Sequence, residues 1–483
     1  MKRLLSTIVA LAFSLLTPVT PVVAAETSAT RKPNIIFILA DDLGYGDLGC
    51  YGQKVIQTPN LDRMAAEGLR FTDCYAGSTV CAPSRSCLMT GQHTGHTPIR
   101  GNGGGPLRPA DVTVAEVLKG AGYSTALVGK WGLGEEGTTG IPTLQGFDCF
   151  FGYLNQGHAH NYYPDFLWRN TERVPLGNEP KTPIGGSSAA AVRVSTKKVV
   201  YSHDLFAEEA LKYVDEHKAG PFFLYLALTV PHANNEAGRE VGDGMEVPDY
   251  GIYAEKDWPN QEKGRAAMIT LMDRDVGRLF DLLDRLGIDR DTIVFFSSDN
   301  GPHKEGGSDP EFFHSSGPLK GIKRSLHDGG IRVPTIVRWP GKIEPGVSDF
   351  VWAFWDFLPT AADLAGVQSP KKIDGVSVLP VLLGEGRPAS REFLYWEFHE
   401  GGSKQAVRMG NWKAVRPVGG PLQLYDLRTD LGETTDVAAE HPKIVSEIEE
   451  YLKTARSESA DWPLKSVGAA KAKAAKGKKK AAK

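Results

Sequence analysis

Cysteine is scarce in this chain: five in 483 residues, at Cys50, Cys74, Cys81, Cys87 and Cys149. No Cys-x-x-Cys pair occurs among them, which excludes the common structural zinc sites, and an odd count leaves at least one thiol that internal disulfides do not account for. Long apolar runs are missing beyond the first 25 residues, so no integral membrane segment is expected once that stretch is removed. A basic stripe is missing as well. The last thirteen residues, 471–483, hold seven lysines; without them 48 basic side chains face 58 acidic ones, so the body carries about −10. That balance excludes a nucleic-acid partner, and the Lys/Ala-rich tail, 465–483, reads as a solvated, disordered end. Its functional alternative is a salt-sensitive tether to an anionic polysaccharide or cell surface.

What is present begins with Met1-Lys2-Arg3, a positive start, followed by an apolar stretch from Leu4 to Leu16 and the small residues Ala24-Ala25. This is the pattern of a secretory signal peptide, 1–25, and predicts a secreted or periplasmic enzyme. With 41% hydrophobic and 23% charged residues, the remainder is globular and long enough for one large domain and a small one.

Asn34 to Ala40 is a continuous apolar, β-branched run, the mark of a strand covered on both faces. Similar runs recur at Ser124 to Val128, Phe222 to Leu228 and Thr292 to Ser297, with helical spacing at Asn60 to Glu67, Val114 to Lys119, Leu205 to His217 and Arg265 to Leu286. The alternation predicts an α/β sandwich about a mostly parallel sheet, over 33–385. From 386 to 460 the pattern shifts to short strands and one amphipathic helix, His441 to Thr454, which predicts a small C-terminal α+β subdomain. Asn178 to Ala191, rich in Pro, Gly, Ser and Ala, reads as an exposed loop.

In such sheets the chemistry lies beyond strand C-termini. Asp41-Asp42 follows the first strand and Asp299-Asn300 another. Three carboxylates and an amide, with no His or Cys cluster, form an oxygen-rich set that suits one Ca²⁺ or Mg²⁺ better than Zn²⁺. Cys81-Ala82-Pro83-Ser84-Arg85 predicts a helix over Ser84 to Gln92, with Cys81 at its N-terminus, where an anion or a thiolate is stabilised, and Arg85 turned back toward it.

These residues closely resemble the type I sulfatase family of arylsulfatase A-like enzymes, whose signature is Cys-x-Pro-Ser-Arg followed by Thr-Gly, here Thr90-Gly91. The resemblance extends from Pro33 to about Leu452. It implies an alkaline-phosphatase-like fold, a sulfuric ester hydrolase, and Cys81 oxidised to 3-oxoalanine (formylglycine) by a formylglycine-generating maturation enzyme. It also implies one Ca²⁺ per chain held by Asp41, Asp42, Asp299, Asn300 and the modified Cys81. Gly129-Lys130-Trp131 matches the second signature, with Lys130 as a sulfate-binding cation. His232 matches a sulfate-contacting histidine and Lys323 a further lysine, either being a candidate to protonate the departing alcohol. Many members carry histidine directly after Gly-Lys-Trp; this chain has Gly132. His158 and His160 are candidates to replace it, and His303 and Lys304 to face the substrate. The stretch from Gly152 to Asn170 resembles bacterial carbohydrate sulfatases, and within those, members acting on galactose or N-acetylgalactosamine types at the 4-position. Two rival readings are a phosphate or phosphonate monoester hydrolase of the same superfamily and an inactive, polysaccharide-binding homologue.

Overall fold

In the computed structural model, which describes residues 32–180, 194–386, 388 and 391–466, ten strands form one sheet. Five parallel strands make its centre, in the order Thr292–Ser298, Asn34–Ala40, Phe222–Ala227, Ser124–Lys130 and Cys149–Tyr153. Antiparallel neighbours extend both edges, beginning with Thr335–Arg338 on one side and Phe166–Arg169 on the other. Asn34–Ala40 is buried at every position because its two faces feed different cores. Ile36 and Ile38 join the core beneath helices Pro59–Glu67, Ser202–His217 and Asn260–Arg285; Ile35, Phe37 and Leu39 join the core beneath Cys81–Thr90, Val114–Gly120 and Phe357–Leu364. A strand with no solvent face has no reason to alternate polar and apolar residues, which is why its sequence is a continuous apolar run.

The helices match the spacing in the sequence with small shifts at their ends. Asn260–Arg285 starts five residues before the expected Arg265, and Pro442–Tyr451 is shorter than His441 to Thr454. Leu394–Phe398, Lys404–Met409, Trp412–Pro417 and Gln423–Asp426 form a separate four-stranded antiparallel sheet. That sheet is tied to the end of the Cys81–Thr90 helix by Glu397, whose N–H donates to Thr94 Oγ1 at 2.8 Å and whose carboxylate accepts from Arg100 at 3.1 Å. No helix among the described residues is long and apolar enough to cross a membrane. The expected signal peptide, the greater part of the 178–191 loop and residues 467–483 lie outside the described residues.

The same junction contains a pH-sensitive group. His93 is buried, its ring stacks on His96 with centroids 4.4 Å apart, and its Nδ1 accepts the N–H of Gly95 at 3.0 Å. Burial pushes His93 down to about 4, against the opposing pull of Asp374. A histidine held neutral in the fold but free to charge when unfolded leaves stability intact above about pH 6.5 and removes it as pH falls toward 4. At pH 4.5 the loss from this one group is about 2.5 kcal/mol. Thermal melts at pH 7 and pH 4.5 check this: the fall in Tm is expected to be smaller in His93→Gln than in the natural protein, and an equal fall in both contradicts it.

Candidate active site

Two aspartates arrive together because Asn34–Ala40 ends in the middle of the sheet, and its neighbour Thr292–Ser298 ends in register beside it. Asp41, Asp42, Asp299 and Asn300 are all fully buried there. Asp42 adopts a left-handed backbone (φ 64°), a strained conformation for a residue with a Cβ, and turns its carboxylate toward Asn300, whose Nδ2 donates to it at 2.6 Å. Asn300 Oδ1 is buried without a hydrogen-bond partner.

The Cys81–Thr90 helix brings the remaining parts. It begins at Cys81 rather than at the expected Ser84. Pro83 is thus its third residue, a place where the missing N–H breaks no intrahelical bond. One turn on, Arg85 is entirely buried: Nε and Nη2 donate to Asp299 Oδ2 at 3.1 and 2.9 Å, Nη2 also to Asp41 Oδ2 at 3.2 Å, and Nη1 to the Lys130 carbonyl at 2.6 Å. Its fork is taken up by these groups, and it ties two carboxylates to the end of the Ser124–Lys130 strand. Lys130 itself reaches Asp41 Oδ2 at 2.5 Å, and Lys323 reaches Asp42 Oδ2 at 2.8 Å. Gly129 precedes Lys130 at φ 109°, where an added Cβ would lie 2.0 Å from the Ala227 carbonyl, so the strand can close this tightly only with glycine.

The expected thiolate is not supported. Burial, and then the charge of Asp41 3.5 Å from Sγ, push the Cys81 thiol well above its usual range. These two effects oppose the helix N-terminus and favour the neutral thiol.

His232 donates from Nδ1 to the Ala233 carbonyl at 2.7 Å, leaving Nε2 bare, and Lys323 Nζ lies 3.1 Å from that nitrogen. Burial together with Lys323 drives His232 well below its usual value, while Lys323, despite burial, is held high by Asp42 and other acids. The proton of this pair therefore sits on Lys323.

The four less certain candidates separate. His160 joins the site, stacking on His232 at 4.8 Å with Nδ1 bonded to Glu236 at 2.9 Å. His158 packs instead against Tyr153 and Phe166. His303 is buried and both ring nitrogens meet the backbone, Nδ1 accepting from Glu305 N–H at 3.0 Å and Nε2 facing the Pro231 carbonyl at 3.1 Å, with Arg265 Nη1 at 3.3 Å from Nε2, so it braces the loop. Lys304 is exposed and pairs with Asp309. Its neighbour Glu305, which carries no signal in the sequence, turns inward to Lys323 at 3.2 Å; burial raises its carboxyl, but Lys323 and its neighbours win and hold it at about 2. As for Gly132, its φ is 80° and a Cβ there would meet Gln156 Nε2 at 2.4 Å, so Gln156 occupies the space a side chain would need.

A hard cation fits this donor set. Burial and the adjacent Asp41 push the Asp299 carboxyl up to about 7, so three carboxylates share the pocket uneasily with protein cations alone. Asp41 and Asp42 bring their oxygens within reach of one another together with Cys81 Sγ and a His232 ring nitrogen, and carboxylate oxygens and the orphaned Asn300 Oδ1 are donors of the kind Ca²⁺ and Mg²⁺ prefer.

Comparison with known proteins agrees. The sulfatase family profile matches residues 33–367. The chain belongs to the type I sulfatase family. A second profile, N-sulphoglucosamine sulphohydrolase, C-terminal, matches residues 322–458. Human arylsulfatase A is 34% identical over 426 residues, covering 81% of this chain and 76% of that protein. The N-acetylgalactosamine-6-O-sulfatase of Bacteroides thetaiotaomicron is 30% identical over 505 residues, covering 89% and 94%. The solved structure of Ps i-CgsB with k-i-k-neocarrahexaose superposes with a TM-score of 0.74 at 29% identity, covering 88% of this chain and 92% of that one. This sulfatase is a sulfuric ester hydrolase with the alkaline-phosphatase-like sandwich expected from its sequence.

Proposed function

We propose that this sulfatase is exported, carries residue 81 as formylglycine beside one Ca²⁺, and hydrolyses sulfate monoesters on carbohydrates of the galactose or N-acetylgalactosamine type. Export rests on the leader pattern of residues 1–25. The carbohydrate reading is supported by two relatives, named as an N-acetylgalactosamine-6-O-sulfatase and as a neocarrahexaose complex. The observation that carries the reading is the buried set itself: three carboxylates and Cys81 enclosed by Arg85, Lys130, Lys323 and His232.

Asp41, Asp42, Asp299, Asn300 and residue 81 would hold the cation, which supplies fixed positive charge against the oxygens of the sulfate. Once oxidised and hydrated, residue 81 supplies one hydroxyl that displaces the alcohol and a second whose collapse to the aldehyde expels sulfate. Lys130 and Lys323 hold the transferring group by charge. Arg85 keeps Asp41 and Asp299 in place and fixes the end of the lysine's strand. Lys323 holds the proton that the departing alkoxide needs. His232 accepts from the Lys323 ammonium through its bare Nε2 and so aims it.

A panel of mono- and disaccharides sulfated at the 4- or 6-position of galactose and N-acetylgalactosamine, each paired with its phosphate ester, tests the reading with the matured enzyme. Turnover of at least one sulfate ester, far above its phosphate twin, is expected. Equal or better turnover of the phosphates would transfer the chain to the phosphomonoesterase reading, and no turnover of any member would favour the inactive, polysaccharide-binding one.

A further inference from the structure

Against Ala82, the residue after Cys81, the structure holds a cavity of about 290 Å³ that the reaction described above does not use. Its wall includes Ala82, Gly105, Gly132, Glu135, Asn155 and Gln156. The volume is at the low end of ligand pockets, about 300 to 1,000 Å³, and suits one sugar ring rather than a chain of them.

Three features make it a built site. The wall is fixed to the catalytic helix, since the Ala82 N–H donates to Asn102 Oδ1 at 3.2 Å. The same loop is braced from behind by Trp462, whose ring lies where a Cβ on Gly101 or Gly104 would fall and whose Nε1 donates to the Pro98 carbonyl at 3.0 Å. Gln156 brings its Nε2 to Gly132 and leaves that donor buried with no partner in the protein. A buried amide donor without an acceptor is costly unless a bound group or water meets it.

Charge decides what that group is. The site around residue 81 is ringed by cations, whereas the described residues lining this cavity include no Lys, Arg or His, and their one charged side chain is the exposed Glu135, which accepts from Asn155 Nδ2 at 2.5 Å. A uronate or a second sulfate entering it would meet a carboxylate and no counter-charge. We propose that this cavity is the subsite for an uncharged sugar ring joined to the sulfated one, with the side chains of Asn155 and Gln156 in its wall. The inference rests on the carbohydrate reading above and narrows it to substrates whose neighbouring ring carries neither carboxylate nor sulfate.

Kinetics of the matured enzyme on three probes test this: 4-nitrophenyl sulfate, a singly sulfated galactose joined to neutral galactose, and the same sulfated sugar joined to a hexuronate. The neutral disaccharide is expected to exceed the uronate-bearing one in kcat/KM by about 3-fold, the scale of repulsion from one exposed carboxylate, Glu135. Glu135→Gln is expected to narrow that ratio. Gln156→Ala and the cavity-filling Gly105→Phe, at a position with open space around its Cβ, should each raise KM for the neutral disaccharide by about 10-fold with little change in kcat, so that its selectivity over the aryl ester falls. Gln156→Ala lowering kcat equally on aryl ester and disaccharide, or Gly105→Phe leaving the disaccharide KM unchanged, overturns the subsite while the sulfatase reading stands. Absence of turnover on all three sulfates by the natural enzyme would instead remove the reading beneath it.

Discussion

Replacing Cys81 by alanine is expected to lower kcat by about 10⁴-fold or more, because it removes the proposed nucleophile, while leaving the fold intact. The side chain is small, and its polar contact is Sγ to Asp41 at 3.5 Å, so Tm should move by no more than a few degrees. Cys81→Ser distinguishes nucleophile from structure. A serine hydroxyl can attack sulfur and expel the alcohol but has no second hydroxyl to eject sulfate, so the variant should become trapped with a mass gain of about 80 Da, one SO₃, after incubation with substrate. An alanine variant that retains turnover, or a serine variant that turns over continuously without an adduct, would contradict the assignment.

Stripping divalent cations with a chelator is the second large effect. The carboxylates of Asp41, Asp42 and Asp299 lie in one fully buried pocket, and in the structure Lys130, Lys323 and Arg85 all lean on them. A bound divalent ion would answer those carboxylates and leave the two lysines for sulfate. Its removal should therefore cost about 10²- to 10³-fold in kcat/KM, the scale of losing an electrostatic stabiliser. It should also lower Tm, since a ligand bound only by the folded state stabilises by RT ln(1 + [L]/Kd). Both should return with Ca²⁺. Asp299→Ala should abolish the Tm response to added Ca²⁺ even in protein with no measurable activity. Full activity in the presence of excess chelator, with no recovery effect of any cation, would contradict the single hard-cation reading.

Much of this architecture was legible before any coordinates. Strands buried on both faces announce themselves as unbroken apolar runs, as Asn34–Ala40 and Thr292–Ser298 do, and their polar successors mark the site because strands in register end together. The Cys-x-Pro-Ser-Arg signature and the Gly-Lys-Trp triplet carried the rest. What stayed hidden depends on contacts between loops distant in sequence. Glu305 and Glu236 are ordinary acids in polar stretches until the fold sets them against Lys323 and His160. Gln156 is recognisable only because Gly132 bends toward it. The thiolate expectation for Cys81 failed for a related reason: the helix N-terminus is visible in the sequence, but complete burial and the nearness of Asp41 are not. The backbone partners of the His303 ring were hidden in the same way, since sequence adjacency to Asp299-Asn300 says nothing about which way a ring faces.

The chemical state of residue 81 decides the proposed mechanism. Intact-peptide mass spectrometry of the segment containing it, from protein made in a host with the maturation enzyme, should show about 18 Da less than the thiol form, the difference between cysteine and its aldehyde, in step with specific activity. Fully active protein whose residue 81 is entirely unmodified cysteine would contradict it.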